Sequence, residues 1–197
     1  MSSLVDMTSY FTALTSSLND ISNKAEFHQF NDALTQTLKT FDPEGRPQAL
    51  YIAGNGGSFA SANHIATDLS NLFEKRYIKC PPMTSSSQSQ ITRIANDSGY
   101  KYIFSRDLKT YAHSIKAVLV LSVSGQSPNI LELLKEARLQ GIRTFSLLGF
   151  SGRGQARSLS DYSISVDSDD FRLVEDVHMI IISSLLDSIC GTPNATI

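Results

Sequence analysis

The sequence predicts an α/β fold in which a parallel sheet is covered on both faces by helices. Three observations predict it. Short, largely apolar runs occur at residues 49–53, 117–121 and 144–148. Each stops at a turn containing glycine or serine, and the first two lead into segments of helical periodicity. Strand, turn and helix in alternation are the pattern of a parallel sheet whose strands are buried on both sides.

The elements follow in order. Residues 5–40 are helix-prone, with apolar side chains at Phe11, Leu14, Leu18 and Ile21 and then a second stretch from about 26 to 40 carrying Phe30, Leu34 and Leu38. Asp42-Pro43-Glu44-Gly45 breaks it. The first strand, 49–53, enters Gly54-Asn55-Gly56-Gly57, and Ser58 suits the cap of a helix running to about Phe73. Residues 81–115 are harder to read: the run Thr84-Ser85-Ser86-Ser87-Gln88 fits a strand end or a loop, with helices near 90–95 and 100–112. The second strand, 117–121, ends in Ser122-Val123-Ser124-Gly125-Gln126-Ser127, and Pro128 suits the first position of a helix that Gly141 closes. A third strand covers 144–148, a fourth 162–166, and a final helix about 171–189.

Composition bounds the function. The 197 residues are 41% hydrophobic and 18% charged, with a net charge of −2, as in one ordinary globular domain with no global pull toward nucleic acid or an anionic surface. No stretch approaches the roughly 18 apolar residues of a membrane helix, and the N-terminus lacks a secretory pattern. Cys80 and Cys190 form no C-x-x-C pair, so a reduced, cytoplasmic setting is expected. The sequon at Asn194-Ala195-Thr196 is then fortuitous.

Both special turns fall at carboxyl ends of strands, where open α/β sheets bind ligands. Serine hydroxyls, free amides and the positive end of a helix at 122–127 suit a phosphate, and the same turn suits a plain polar helix cap. Gly54-x-Gly56 begins like a dinucleotide fingerprint, but position 59 is Phe, and no G-K-[ST] phosphate loop exists.

Taken together, Ala53-Gly54-Asn55-Gly56-Gly57-Ser58, His64-x-x-x-Asp68-Leu69, Asn96-Asp97-x-Gly99-Tyr100, Phe104-Ser105-Arg106 and Ser122-x-Ser124-Gly125-x-Ser127-x-Asn129 resemble the phosphoheptose isomerases of the sugar isomerase (SIS) family. The resemblance is collinear from about residue 10 to 190. It implies a single domain over 1–197, a three-layer sandwich with a five-stranded parallel sheet, and N-terminal helices used in oligomerisation. It also implies a homotetramer whose active sites draw on neighbouring subunits. The implied substrate is a phosphorylated sugar, interconverted between sedoheptulose 7-phosphate and D-glycero-D-manno-heptose 7-phosphate.

By position, the resemblance assigns substrate binding to Asn55, Gly56, Gly57, Ser58, Asn96, Asp97, Ser122, Val123, Ser124 and Ser127. The family's catalytic Glu falls on Asp68, its Gln on Glu175, and its catalytic, zinc-binding His on Ser183. Where zinc is bound, the family uses His, Glu, Gln and His, which leaves His64, Asp68 and Glu175 as candidate ligands here. Aldose–ketose isomerisation needs a base at carbon and a relay at oxygen, so Asp68 is assigned the carbon proton and Glu175 or His178 the oxygen proton. The spacings also suit blander roles. His64 and Asp68, four apart, could form a solvated pair, and Glu175, Asp176 and His178 could decorate a helix whose apolar stripe is Val174, Val177 and Ile181. One hydroxyl of 84–87 would contact the sugar or belong to a polar loop, and Arg106 would pair with a carboxylate.

The second functional expectation is a non-catalytic scaffold resembling the DnaA initiator-associating protein, favoured by the missing histidine at Ser183. A third is a phosphosugar-sensing regulator. With no helix-turn-helix pattern in the sequence, direct nucleic-acid contact is not expected.

Overall fold

A computed structural model describes residues 7–85 and 87–191. Ser86 and the sequon at 194–196 lie outside them. Helices α1 (Met7–Ser22) and α2 (Ala25–Lys39) precede the first strand, β1 (Ala49–Gly54). Then follow α3 (Gly57–Glu74), β2 (Pro82–Thr84), α4 (Gln88–Ser98), α5 (Ile103–Tyr111) and β3 (Ile115–Ser122). The chain continues through α6 (Pro128–Leu139), β4 (Arg143–Leu148), the short α7 (Ala156–Leu159), β5 (Tyr162–Ser165) and α8 (Phe171–Cys190).

All strand pairs among the described residues are parallel, in the order β2-β1-β3-β4-β5. Successive residues of a strand point to opposite faces, and here both faces are covered. Leu50, Ile52, Leu119, Leu121, Phe145 and Leu147 pack with α2, α3 and α8 residues such as Phe30, Leu34, Ile65, Leu69 and Ile181. Tyr51, Ala53, Val118 and Val120 pack on the other side with α4, α5 and α6 residues such as Ile94, Phe104 and Leu133. Each fully buried aliphatic side chain contributes roughly 1.5–3 kcal/mol relative to exposure. A strand apolar on both faces does not fix its own register by alternation. One polar atom helps here: the buried Tyr51 hydroxyl donates to Asp107 at 3.2 Å, a bond that a one-residue slip would break.

The elements expected from sequence are present. The additions are β2, three residues long and therefore too short to stand out as an apolar run, and the single-turn α7. Ser58 does not cap α3. Gly56 occupies the cap position without a side-chain bond, and Ser58 lies inside the helix, buried. At the other special turn, Pro128 opens α6 directly after Ser127, as its fixed φ favours. Among the described residues, no helix is long and apolar enough to cross a membrane.

The strand order positions the site. From β1 the chain passes to β2 on one side and then returns to β3 on the other, so β1 and β3 flank a topological switch point. Crevices at the carboxyl ends of such strands are where open α/β sheets bind ligands. The turns after β1 and β3 therefore stand side by side, although 68 positions separate Gly54 from Ser122.

Candidate active site

A cavity of about 90 Å³ opens between these two turns, lined by Asn55, Ser58, Ser122, Val123, Ser124, Ser127, Phe171 and Glu175, with Leu121 beneath. The serine turn shapes one wall. The Ser122 hydroxyl accepts the Gly125 N–H and the Ser124 hydroxyl accepts the Gln126 N–H, both at 3.2 Å. Each oxygen thereby uses a lone pair on the backbone and keeps its own O–H as a donor. Ser127 precedes α6 and its side chain makes no capping bond. The positive end of α6 adds to the preference for an anion. Gly125 makes the turn possible: its φ is +60°, which a side chain would resist, and Gly154 packs on it. Val123 turns its side chain into the core and gives its carbonyl to the Gly149 N–H at 2.9 Å, so it can meet a ligand only through backbone.

The turn after β1 supplies an amide. Asn55 and Asn129 form a doubly hydrogen-bonded pair, at 2.9 and 2.8 Å, and the Tyr100 hydroxyl donates to Asn55 Oδ1 at 3.1 Å. The rim is a carboxylate. Glu175, on the first turns of α8, accepts from the Ser58 hydroxyl at 3.3 Å and rests against Gly57 at the start of α3. Asp170 caps α8, accepting the Arg172 and Leu173 N–H groups at 2.9 and 3.5 Å, and so sets where that turn begins.

Other predicted residues lie elsewhere. His64 and Asp68 pair with each other at 3.3 Å on the outer side of α3. Asp68 is eleven residues past Gly57, about 16 Å along a helix at 1.5 Å per residue. Within one chain, Asp68 and Glu175 therefore do not share a cavity. Asn96 and Asp97 sit exposed at the end of α4, bonded to each other at 3.1 Å, with Asp97 facing Arg93 at 3.6 Å. In the serine run, Thr84 donates to Asn63 at 3.1 Å, Ser87 caps α4 by accepting the Gln90 N–H, and the Ser85 hydroxyl is buried without a partner among the described residues. Among the described residues, Arg106 pairs with the Ser98 hydroxyl and makes no salt bridge with a carboxylate.

His178 requires a correction. It is fully buried on the core stripe of α8 with Val174 and Val177, not at the mouth of the cavity. Burial pushes its imidazole down to about 4, partly offset by the Leu148 carbonyl, and neither ring nitrogen makes a hydrogen bond of good geometry among the described residues. A neutral ring sealed in the core cannot exchange protons with a ligand, so His178 leaves the catalytic set. Ser183 is exposed and donates to the Met179 carbonyl at 2.9 Å.

These positions also test a metal. Among the described residues no three His, Cys, Asp or Glu side chains cluster closely enough to hold an ion. His64, Asp68 and Glu175 of one chain do not fit zinc, and Ser183 offers no imidazole in its place. Sequence reasoning did not single out Asn129, Tyr100 or Phe171 as site residues. Tyr100 ends the Asn96–Tyr100 motif and Asn129 ends the Ser122–Asn129 motif, which is the available signal. Phe171 has an exposed ring, set edge-on to Phe150 at 5.7 Å, and no sequence signal.

Comparison with known proteins gives concordant matches. A family model described as SIS domain matches residues 9–149, which include both turns and Asp68 but stop before α8. The phosphoheptose isomerase of Fusobacterium nucleatum is 30% identical over 158 residues, 80% of this chain and 80% of that one. That of Pelobacter propionicus is 37% identical over 139 residues, covering 70% and 73%. Among solved structures, a phosphoheptose isomerase from Francisella tularensis matches with a TM-score of 0.79 at 24% identity, over 98% of this chain and 100% of that one.

Proposed function

The chain belongs to the SIS domain family, and from that membership we propose that it is a sugar-phosphate aldose–ketose isomerase of the phosphoheptose isomerase type. Its substrate in this reading is sedoheptulose 7-phosphate, giving D-glycero-D-manno-heptose 7-phosphate, or a related phosphosugar. One observation carries the reading: the three serines of the 122–127 turn, the Asn55 amide and the Glu175 carboxylate line one cavity at the β1/β3 switch point. Hydroxyls and a helix N-terminus suit the phosphate, the amide suits a sugar oxygen, and the carboxylate suits a proton.

The cavity of about 90 Å³ is well below the roughly 300–1,000 Å³ of complete small-ligand sites. In the proposed enzyme a neighbouring subunit completes it and brings its Asp68 to the sugar. An oligomer, in this reading a homotetramer, is supported by α1, which exposes Met7 by 76% and Phe11 by 61%. Asp68 removes the proton from the carbon next to the ketose carbonyl, forming an enediol. Glu175 moves a proton between the two oxygens. Asp68 returns its proton to the adjacent carbon, giving the aldose with no net gain or loss of protons. Cys80 and Cys190 are both free thiols, which supports a reducing, cytoplasmic setting.

A second reading, a non-catalytic phosphosugar-binding or scaffold protein, is favoured by one observation: residue 183 is a serine, at the position to which the resemblance assigns the family's catalytic histidine. Incubation with sedoheptulose 7-phosphate in deuterated water separates the two. Isomerisation predicts deuterium at the carbon beside the carbonyl and formation of aldose. Binding with neither exchange nor product would overturn the enzyme reading in favour of the second.

A further inference from the structure

The Asn55 amide is oriented by a chain of contacts that begins at a backbone N–H. Ile130, in the first turn of α6, can only donate through its N–H, which it shares between the Ser127 carbonyl and Asn129 Oδ1, both at 3.0 Å. The atom of Asn129 facing it must therefore be oxygen, because a reversed amide would set N–H against N–H. Asn129 is fully buried, so the choice is set by its protein neighbours rather than by bulk solvent. With its oxygen fixed, its Nδ2 must face Asn55, and it does so at 2.8 Å from Asn55 Oδ1. The return bond, Asn55 Nδ2 to Asn129 Oδ1 at 2.9 Å, closes the pair. Tyr100 then adds a second donor to Asn55 Oδ1 at 3.1 Å.

The consequence lies in what remains of Asn55. Its oxygen accepts twice, and one of its two amide hydrogens is spent on Asn129. The other hydrogen belongs to a side chain that lines the cavity between the serine turn and Glu175. We infer that Asn129 and Tyr100 are positioning residues: they lock Asn55 as a hydrogen-bond donor, so that the site accepts an oxygen of the sugar at that point. The inference rests on the sugar-phosphate reading above. The arrangement holds the donor before the ligand arrives, and a donor fixed in advance needs no reorganisation on binding. It also separates the tasks of the two turns, phosphate to the serines and sugar oxygen to the amide.

The test compares sugar with bare phosphate. Tyr100→Phe removes only a hydroxyl, and Asn129→Leu removes the amide without adding charge near the phosphate turn. Expected is a fall in kcat/KM for sedoheptulose 7-phosphate of about fivefold for Tyr100→Phe and about tenfold or more for Asn129→Leu. Inhibition by inorganic phosphate should change by less than about twofold in both. In an Asn55→Ala background, either change should add less than about twofold, because both act through Asn55. Full, independent losses in that background would overturn the inference, as would parallel weakening of phosphate. If Asn129→Leu does not fold, Tyr100→Phe carries the test alone. Wild-type protein that binds the sugar phosphate without turning it over would end the isomerase reading, and the same comparisons then run on its calorimetric affinity. Wild-type protein that binds the sugar phosphate no better than inorganic phosphate would overturn the inference itself.

Discussion

The Glu175 carboxylate lies directly against Gly57, so closely that a Cβ at position 57 would stand 2.6 Å from Glu175 Oε1. Glycine is there because the carboxylate needs the room. Gly57 begins α3, so the carboxylate also rests on a helix N-terminus, where negative charge is favoured by roughly 0.3–1 kcal/mol.

This contact predicts the behaviour of Gly57→Ala. The backbone of Gly57 is not in the left-handed region, so alanine fits the helix and the fold should hold. The flexible carboxylate must move instead. Turnover should fall about tenfold or more, by the loss of a placed proton-transfer group. The melting temperature should stay within about 3 °C of wild type. Equal turnover in the alanine variant would remove Glu175 from the reaction.

The separation of Asp68 and Glu175 along α3 makes a second prediction. Asp68→Asn and Glu175→Gln should each lower isomerisation by about 10²-fold. If each site takes Asp68 from one chain and Glu175 from another, mixed oligomers of the two variants regain some intact sites. Co-refolded mixtures should then recover at least about tenfold over either variant alone. No recovery, with mixed oligomers verified by mass, would mean that both carboxylates act from one chain.

Ser124 tests the proposed phosphate wall. Its hydroxyl holds the Gln126 N–H and retains a donor for the ligand. Ser124→Ala should weaken inorganic phosphate about fivefold or more, as expected for a hydrogen bond to a charged group. The sugar phosphate should weaken by the same factor, since both ligands share that end. Competitive inhibition measured with each ligand checks the match.

His178 predicts how stability varies with pH. Its folded-state value, pushed down to about 4, lies below the ordinary 6.5. Below 6.5 the unfolded chain takes up a proton that the folded chain refuses until about pH 4. The contribution to stability is therefore fully present above pH 6.5 and is lost as pH falls toward 4, by about 3 kcal/mol in all. Between pH 7.5 and 5, urea unfolding should show wild type losing about 2 kcal/mol more than His178→Leu. Identical pH profiles would show that the ring is hydrated.

Much of the site was legible in short stretches of chain. The serine turn and the Gly54–Ser58 segment each lie within six residues, and glycine, serine and proline act on neighbours in the chain. The roles of α8 were not legible in the same way. Periodicity sets His178 four residues after Val174 and three before Ile181, on the buried stripe, whereas its polarity argued for the surface. The core packing of α8 decided for burial. Ser58 misled through propensity: serine caps helices often, but here its hydroxyl turns to Glu175, 117 residues away.

By itself the sequence determined four of the five strands, the two special turns and the helices they open, because apolar runs and turn residues are local signals. Only the tertiary structure decided that β1 and β3 are neighbours, that Glu175 closes on Gly57, and that Asn129 orients Asn55. It also decided that His178 is sealed in the core and that Asp68 stands apart from Glu175 within one chain. The physical reason is that a hydrogen bond or a close contact depends on distance in space. Parallel strands joined by crossovers bring together residues that no sequence spacing relates.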